Sequence, residues 1–117
     1  MEAIGNHFII ELYECEGDIK TVEHVGEILR EAAIKCKATV VSEFFQQFQP
    51  WGVSGVIILA ESHISIHTWP ELKYCAVDFF FCDISNIDVE AGIQHIKDGF
   101  VSQRVNVDKL DRGLNLK

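Results

Sequence analysis

Alternating apolar and polar residues predict a β-strand near the middle of the chain. From position 63 onward, Ile64 and Ile66 fall on one side of this strand. The opposite side carries polar and aromatic residues, namely His63, Ser65, His67 and Trp69. We therefore expect one face to pack in the core and the other face to carry chemistry.

The segment from Tyr74 to Cys82 shows the same alternation. Its predicted core side is Val77, Phe79 and Phe81, and its opposite side is Tyr74, Asp78 and Cys82. Residues 70–73 contain a proline and are typical of a turn. The two strands are therefore predicted to form a hairpin that brings their polar faces together.

Two segments have apolar residues at helical spacing. The first follows Asp18, the predicted N-cap, and its apolar stripe is Ile19, Val22, Val25, Ile28, Leu29, Ala32, Ala33 and Cys36. The second follows Asp88, also a predicted N-cap, and its stripe is Val89, Ile93, Ile96 and Phe100. Each pattern predicts an amphipathic helix that is packed by one face.

Further β-prone segments span residues 7–13, 38–48, 53–60 and 104–110. Residues 53–60 are apolar on both sides, which is typical of a strand in the middle of a sheet. The order β-α-β-β-β-β-α-β predicts an α+β fold, a two-layer sandwich of a mostly antiparallel sheet with both helices on one face.

Length and composition predict one globular domain, residues 1–117. The formal charge of −8 disfavours binding to nucleic acid, because phosphate contacts need clustered Lys and Arg. The negative charge favours a cationic small molecule as the ligand.

The apolar run 53–60 is shorter than the roughly 18 residues of a membrane-spanning helix, and Met1-Glu2 does not resemble the start of a signal peptide. We expect a cytoplasmic protein without a membrane partner.

The chain has four cysteines and no Cys-x-x-Cys motif: Cys15, Cys36, Cys75 and Cys82. Free thiols are expected in a reducing compartment, buried for all but Cys82. A zinc site formed by His63, His67 and either Cys75 or Cys82 stays an alternative. The spacing of these residues on strands and the lack of a paired cysteine motif argue against it, so no metal is expected.

Single residues of the central stretch have ordinary interpretations. Ser62 lacks the Gly-x-Ser-x-Gly surroundings of a hydrolase nucleophile, and most serines at strand starts are only polar surface residues. Trp69 and Phe48 are compatible with core packing, which is the usual place of aromatic side chains. Only the combination of residues in the segment 61–71 indicates a catalytic or binding site.

The whole pattern resembles the short bacterial and archaeal form of the S-adenosylmethionine decarboxylase family, pyruvoyl enzymes that are made as self-cleaving proenzymes. The most specific match is residues 61–71, Glu-Ser-His-Ile-Ser-Ile-His-Thr-Trp-Pro-Glu. Further matching segments are His7, Tyr13-Glu14-Cys15, residues 48–56 and residues 78–82. The resemblance therefore extends over most of the chain.

The resemblance implies that the protein breaks its own Glu61-Ser62 bond. In this chemistry the serine hydroxyl attacks the preceding carbonyl to give an ester, β-elimination leaves dehydroalanine, and hydrolysis releases ammonia and leaves a pyruvoyl group. The products would be a chain of residues 1–61 and a chain of residues 62–117 with the pyruvoyl cap. His67 is implied as the proton carrier of processing, a role that suits a side chain titrating near neutral pH.

The resemblance also implies how the mature enzyme works. The pyruvoyl carbonyl forms a Schiff base with the substrate amine and accepts electrons as carbon dioxide leaves. Cys82 is implied as the proton donor to the substrate carbon, since a thiol is still protonated at neutral pH. Phe48 and Trp69 are expected beside the adenine and Glu71 at the ribose hydroxyls. Ser54 is expected to help processing or to position the substrate.

Several alternatives remain open at the level of sequence. One alternative is that Phe48 and Ser54 serve only to shape their loop. Gln46-Gln47 stands where close relatives are expected to have a more basic or histidine-containing pair. Some relatives decarboxylate ornithine or arginine, and a relative that does not cleave would lack activity. The resemblance favours S-adenosylmethionine as the substrate, spermidine biosynthesis as the pathway, and a homodimer of cleaved protomers.

Overall fold

The computed structural model describes residues 3–116. It contains a short 3₁₀ helix at Pro70–Leu72 and the following main elements in chain order: β1 (Gly5–Cys15), α1 (Val22–Lys35), β2 (Val40–Gln47), β3 (Val53–Leu59), β4 (Ser62–Trp69), β5 (Tyr74–Phe81), α2 (Val89–Gly99) and β6 (Ser102–Arg112). The predicted order of strands and helices is confirmed. The expectation based on Met1-Glu2 lies outside the described residues.

The strands form one sheet in the order β2-β3-β4-β5-β1-β6. Every neighbouring pair is antiparallel, so the predicted α+β sandwich is confirmed. In the central hairpin, Ser62 pairs with Phe81 and Trp69 pairs with Tyr74. No described helix is long and apolar enough to cross a membrane.

Both helices pack on one face of the sheet and bury a single hydrophobic core. The predicted core positions of the hairpin are buried, among them Ile64, Ile66 and Phe79, which are all 0% exposed. No helix of the described chain covers the other face of the sheet, which we call the outer face. It carries His63, Ser65, His67 and Trp69 of β4 and the side chains level with them on the neighbouring strands.

The first helix begins later than predicted. Asp18 is not its N-cap, because its carboxylate accepts hydrogen bonds from the backbone N–H of Lys20 at 2.8 Å and the hydroxyl of Thr21 at 3.1 Å. Thr21 is the N-cap and accepts from the N–H of His24. Ile19 therefore precedes the helix, although it is buried as expected. The second prediction is confirmed, since Asp88 caps α2.

Candidate active site

The predicted cleavage site lies in the tight turn between β3 and β4. Leu59 pairs with Ser62, so Ala60 and Glu61 alone form the connection, and both are exposed. Glu61 has a φ of 61°, in the left-handed region that residues other than glycine rarely adopt. Such a conformation costs about 1–3 kcal/mol. The Glu61-Ser62 bond thus lies in an exposed and strained turn.

Ser62 lies beside Cys82 at the end of the central hairpin. The Ser62 hydroxyl oxygen accepts a hydrogen bond from the backbone N–H of Cys82 at 3.4 Å. Cys82 is the exposed cysteine, whereas Cys15, Cys36 and Cys75 are buried, and all four are free thiols as predicted. The structure therefore brings together the proposed pyruvoyl precursor and the proposed proton donor.

The other predicted residues gather at the opposite end of the same strands. Ser54 and His67 pair across β3 and β4, and the Ser54 hydroxyl lies 2.8 Å from Nδ1 of His67. A cavity of about 300 Å³ lies beside this pair, and its lining includes Phe48, Trp51, Ser54, His67, Trp69 and Glu71. All the residues expected to bind substrate thus line one cavity together with His67.

Within one protomer, the Ser62–Cys82 pair lies far from the cavity that contains His67. Ser62 and His67 are five positions apart on the continuous strand β4. At a rise of about 3.3 Å per residue, they are separated by roughly 16 Å along the strand. The sequence alone assigned Ser62 and His67 to one site, but within one protomer His67 cannot reach Ser62.

Gln47 fixes the loop that carries Phe48 and Trp51. Its side-chain oxygen accepts from the N–H of Val22 at 2.9 Å, and its side-chain nitrogen donates to the carbonyl oxygens of Lys20 at 2.8 Å and Gly52 at 3.0 Å. Sequence reasoning treated this glutamine only as a departure from relatives. Its contacts explain how the chain holds one wall of the cavity with an amide side chain.

Thr68 joins the cavity wall to the core and was not singled out from the sequence. Its hydroxyl donates to the carbonyl oxygen of Ile19 at 2.8 Å and accepts from the N–H of Val53 at 2.9 Å. The side chain lies on the core face of β4, in a strand whose alternation predicts a core residue at this position. Thr68 therefore ties β3, β4 and the segment before α1 together.

Replacing Thr68 with valine is expected to destabilise the protein by about 2 to 4 kcal/mol, since a buried carbonyl and a buried N–H both lose their partner. Urea unfolding followed by circular dichroism measures this loss. The same substitution at the exposed Thr39 is the matched control and should change stability little. Equal midpoints for the two variants would show that the Thr68 hydrogen bonds do not stabilise the fold.

Trp69 is supported by a neighbouring aromatic ring. Its ring stacks on Tyr74 at a centroid distance of 5.3 Å, and the Tyr74 hydroxyl donates a hydrogen bond to Glu11. Burial, followed by the contact with Glu11, raises the pKa of Tyr74, so the phenol stays protonated. The alternation of the sequence predicted Tyr74 on the polar face, but nothing local predicted its contact with Glu11, which lies 63 residues away in the sequence on the neighbouring strand β1.

The zinc alternative finds no support in the described residues. Within residues 3–116, no group of three or more His, Cys, Asp or Glu side chains is arranged to hold a metal ion. His63 instead stacks on Phe80 at a centroid distance of 5.7 Å. Burial raises the pKa of the Cys36 thiol to about 11. Cys36 is therefore a core side chain, and of the two cysteines considered for the zinc site, Cys75 is buried and Cys82 is exposed.

Comparisons with known proteins identify the family of the chain. Residues 6–113 match the family described as S-adenosylmethionine decarboxylase. S-adenosylmethionine decarboxylase proenzymes of Thermotoga petrophila and Thermodesulfovibrio yellowstonii are 38% and 43% identical, over 97% of this chain and 87% and 84% of theirs. The crystal structure of the adenosylmethionine decarboxylase from Aquifex aeolicus VF5 matches with a TM-score of 0.88 and 33% identity, over 97% of this chain and 94% of that one. The chain therefore belongs to the S-adenosylmethionine decarboxylase family.

Proposed function

We propose that this protein is a pyruvoyl-dependent S-adenosylmethionine decarboxylase of the cytoplasm, made as a proenzyme that cleaves itself at Glu61-Ser62. The observation that carries the proposal is the left-handed Glu61 directly before Ser62, in a chain that belongs to this family. Cleavage removes the strained connection of the turn. The decarboxylated S-adenosylmethionine that the mature enzyme releases would supply the aminopropyl group for spermidine biosynthesis.

Residues around the turn support self-cleavage. The backbone N–H of Cys82 donates a hydrogen bond to the Ser62 hydroxyl oxygen and keeps this oxygen next to the end of β5. After cleavage, β3 stays paired with both β2 and β4, so the two product chains remain held by the sheet and the core. The fold thus tolerates a break at this position and needs no rearrangement elsewhere.

A pyruvoyl group on residue 62 would act as the electron sink for loss of carbon dioxide. Beside it, Cys82 donates the proton to the substrate carbon, and the cavity at the opposite end of the strands binds the nucleoside. Phe48 and Trp69 hold the adenine, and Glu71 accepts hydrogen bonds from the ribose hydroxyls. The net charge of −8 favours a substrate with a positive sulfonium over an anionic one.

The separation of Ser62 from His67 supports a homodimer of cleaved protomers. A two-fold axis parallel to the outer face and perpendicular to β4 would stack the outer faces of two copies with reversed strand direction, so the start of one β4 would lie near the end of the other. The outer face also carries large apolar side chains that are exposed in one protomer, including Phe44, Ile58 and Leu110. Pairing would bury these side chains and complete two equivalent sites, each built from both chains.

Replacing Cys82 with alanine is expected to leave cleavage intact and to lower kcat by about 100-fold or more, because only the proton transfer to the substrate carbon is lost. Mass spectrometry measures cleavage and carbon dioxide release measures kcat. Ser85→Ala, an exposed change in the same loop, is the control and should behave like the wild type. Normal turnover by the Cys82 variant would assign the proton donor to another group.

Substrate choice is tested by carbon dioxide release from S-adenosylmethionine, ornithine and arginine under the same conditions. We expect turnover of S-adenosylmethionine alone, because the cavity is lined by the aromatic rings of Phe48 and Trp69, which can stack on adenine, and by the carboxylate of Glu71, which can accept from ribose hydroxyls. Preferred turnover of ornithine or arginine would keep the pyruvoyl chemistry and reject the proposed substrate. The absence of any carbonyl cofactor in the purified protein would instead support a relative that does not cleave.

A further inference from the structure

Three aromatic side chains from neighbouring strands stack across the outer face, and we call them the aromatic column. Trp69 of β4 stacks on Tyr74 of β5 at 5.3 Å, and Tyr74 stacks on Tyr13 of β1 at 5.6 Å between ring centroids. The guanidinium of Arg104 lies 4.0 Å from the Tyr13 centroid and closes the far end. The column begins at the cavity that contains Trp69 and ends at the edge strand β6.

The middle ring of the column is held by a hydrogen bond. The Tyr74 hydroxyl donates to a carboxylate oxygen of Glu11, a partly buried pair whose members are 63 residues apart in the sequence. Glu11 lies opposite Ala76 in the sheet, so no large side chain from that position of β5 stands between them. Tyr74 is thus fixed by rings on both sides and by a charged acceptor at its hydroxyl.

We propose that Tyr74 and Glu11 are positioning residues that hold the Trp69 ring in the orientation that binds the substrate's adenine. This inference rests on the proposed function, which places adenine at Trp69. Trp69 is 39% exposed in one protomer, and the His67 ring near it is tilted by 43° at 6.2 Å between centroids rather than stacked. The ring that stacks on Trp69 is Tyr74, and Tyr74 is locked by Glu11.

A ring held in the binding orientation loses less freedom when the substrate binds, and affinity rises accordingly. Neither Tyr74 nor Glu11 takes part in the proposed proton transfers at Ser62 and Cys82. Loss of the pair is therefore expected to raise KM for S-adenosylmethionine and to leave both kcat and self-cleavage nearly unchanged. A general loss of folding would lower the amount of active enzyme instead and would leave KM unchanged.

Two matched substitutions separate the hydrogen bond from the ring. Tyr74→Phe keeps the stack and removes the donor to Glu11, and it is expected to raise KM about fivefold, with kcat within about twofold of the wild type. Tyr13→Phe removes the hydroxyl of the adjacent ring, which has no hydrogen-bond partner among residues 3–116. It is expected to leave KM within about twofold of the wild type.

Substitutions of Glu11 test the acceptor. Glu11→Gln keeps an oxygen that accepts from Tyr74 and should retain a KM near that of the wild type, whereas Glu11→Ala should match Tyr74→Phe. The double variant with both Tyr74→Phe and Glu11→Ala should be no worse than either single one, since both remove the same interaction. If Tyr74 and Glu11 made independent contacts, the effects of the two substitutions on KM would add instead.

Steady-state kinetics on variants whose cleavage has been verified by mass decides between these outcomes. An unchanged KM in Tyr74→Phe would overturn the positioning role. An equal rise of KM in Glu11→Gln and Glu11→Ala would overturn it as well, because the charge of Glu11 would then contact the substrate directly. Trp69→Leu serves as the reference and should raise KM more than Tyr74→Phe. An unchanged KM in Trp69→Leu would reject the placement of adenine in the proposed function itself.

Discussion

Replacing Ser62 with alanine is expected to leave one uncleaved chain with no decarboxylase activity. Alanine has no hydroxyl to attack the Glu61 carbonyl, so neither the new termini nor the pyruvoyl group can form. Activity should fall to the uncatalysed background, a loss of about 10⁶-fold or more. Denaturing electrophoresis and carbon dioxide release measure the two effects.

Ser65→Ala is the matched control for this substitution. Ser65 lies in the middle of the same strand and, unlike Ser62, does not follow a residue with a positive φ, so its variant should cleave and remain active. A Ser62→Ala protein that still decarboxylates S-adenosylmethionine at the normal rate would show that no cofactor is made from residue 62. Loss of activity in both variants would indicate a general sensitivity of β4.

A mixture of two inactive variants is expected to regain activity if each site is built from both protomers. A His67→Ala chain should fail to cleave, because it lacks the proton carrier that a second copy needs. In a mixed dimer with Ser62→Ala, the intact His67 of one chain faces the intact Ser62 of the other. One of the two sites is then complete.

Co-expression of the His67→Ala and Ser62→Ala chains measures this rescue. Random pairing should give about a quarter of the wild-type activity, and cleavage should be confined to the His67→Ala chain. The control is co-expression of Ser62→Ala with a Cys82→Ala, Ser62→Ala double variant, which has no intact Ser62 and should stay inactive. Cleavage of His67→Ala expressed alone would remove His67 from processing.

The local patterns of the sequence predicted the two faces of the sheet correctly. Strict alternation in β4 and β5 depends only on the backbone geometry of a strand, so the core position of Ile64 and the outer position of His67 followed from a few residues. The predicted N-cap of α1 was wrong. Asp and Thr are both good N-cap residues, and Asp18 instead accepts a hydrogen bond from the N–H of Lys20 in the turn before the helix, which leaves Thr21 as the cap.

The contacts that build the cavity lay beyond such local patterns. Gln47 reaches Val22 across 25 residues, and Thr68 reaches Ile19 across 49. These pairs depend on strand order and register, which periodicity does not specify. The division of the site into two groups is different, because it follows from the extended backbone of β4, which separates Ser62 from His67 although they are only five positions apart.

The intact mass of the purified wild-type protein under denaturing conditions tests self-cleavage most directly. We predict two chains that break at Glu61-Ser62, with the second lighter by one ammonia than a chain that begins with serine. A single chain of 13.3 kDa that persists on prolonged incubation would contradict the proposed cofactor. A second chain that begins with an unmodified serine would contradict it as well, because simple hydrolysis leaves no pyruvoyl group.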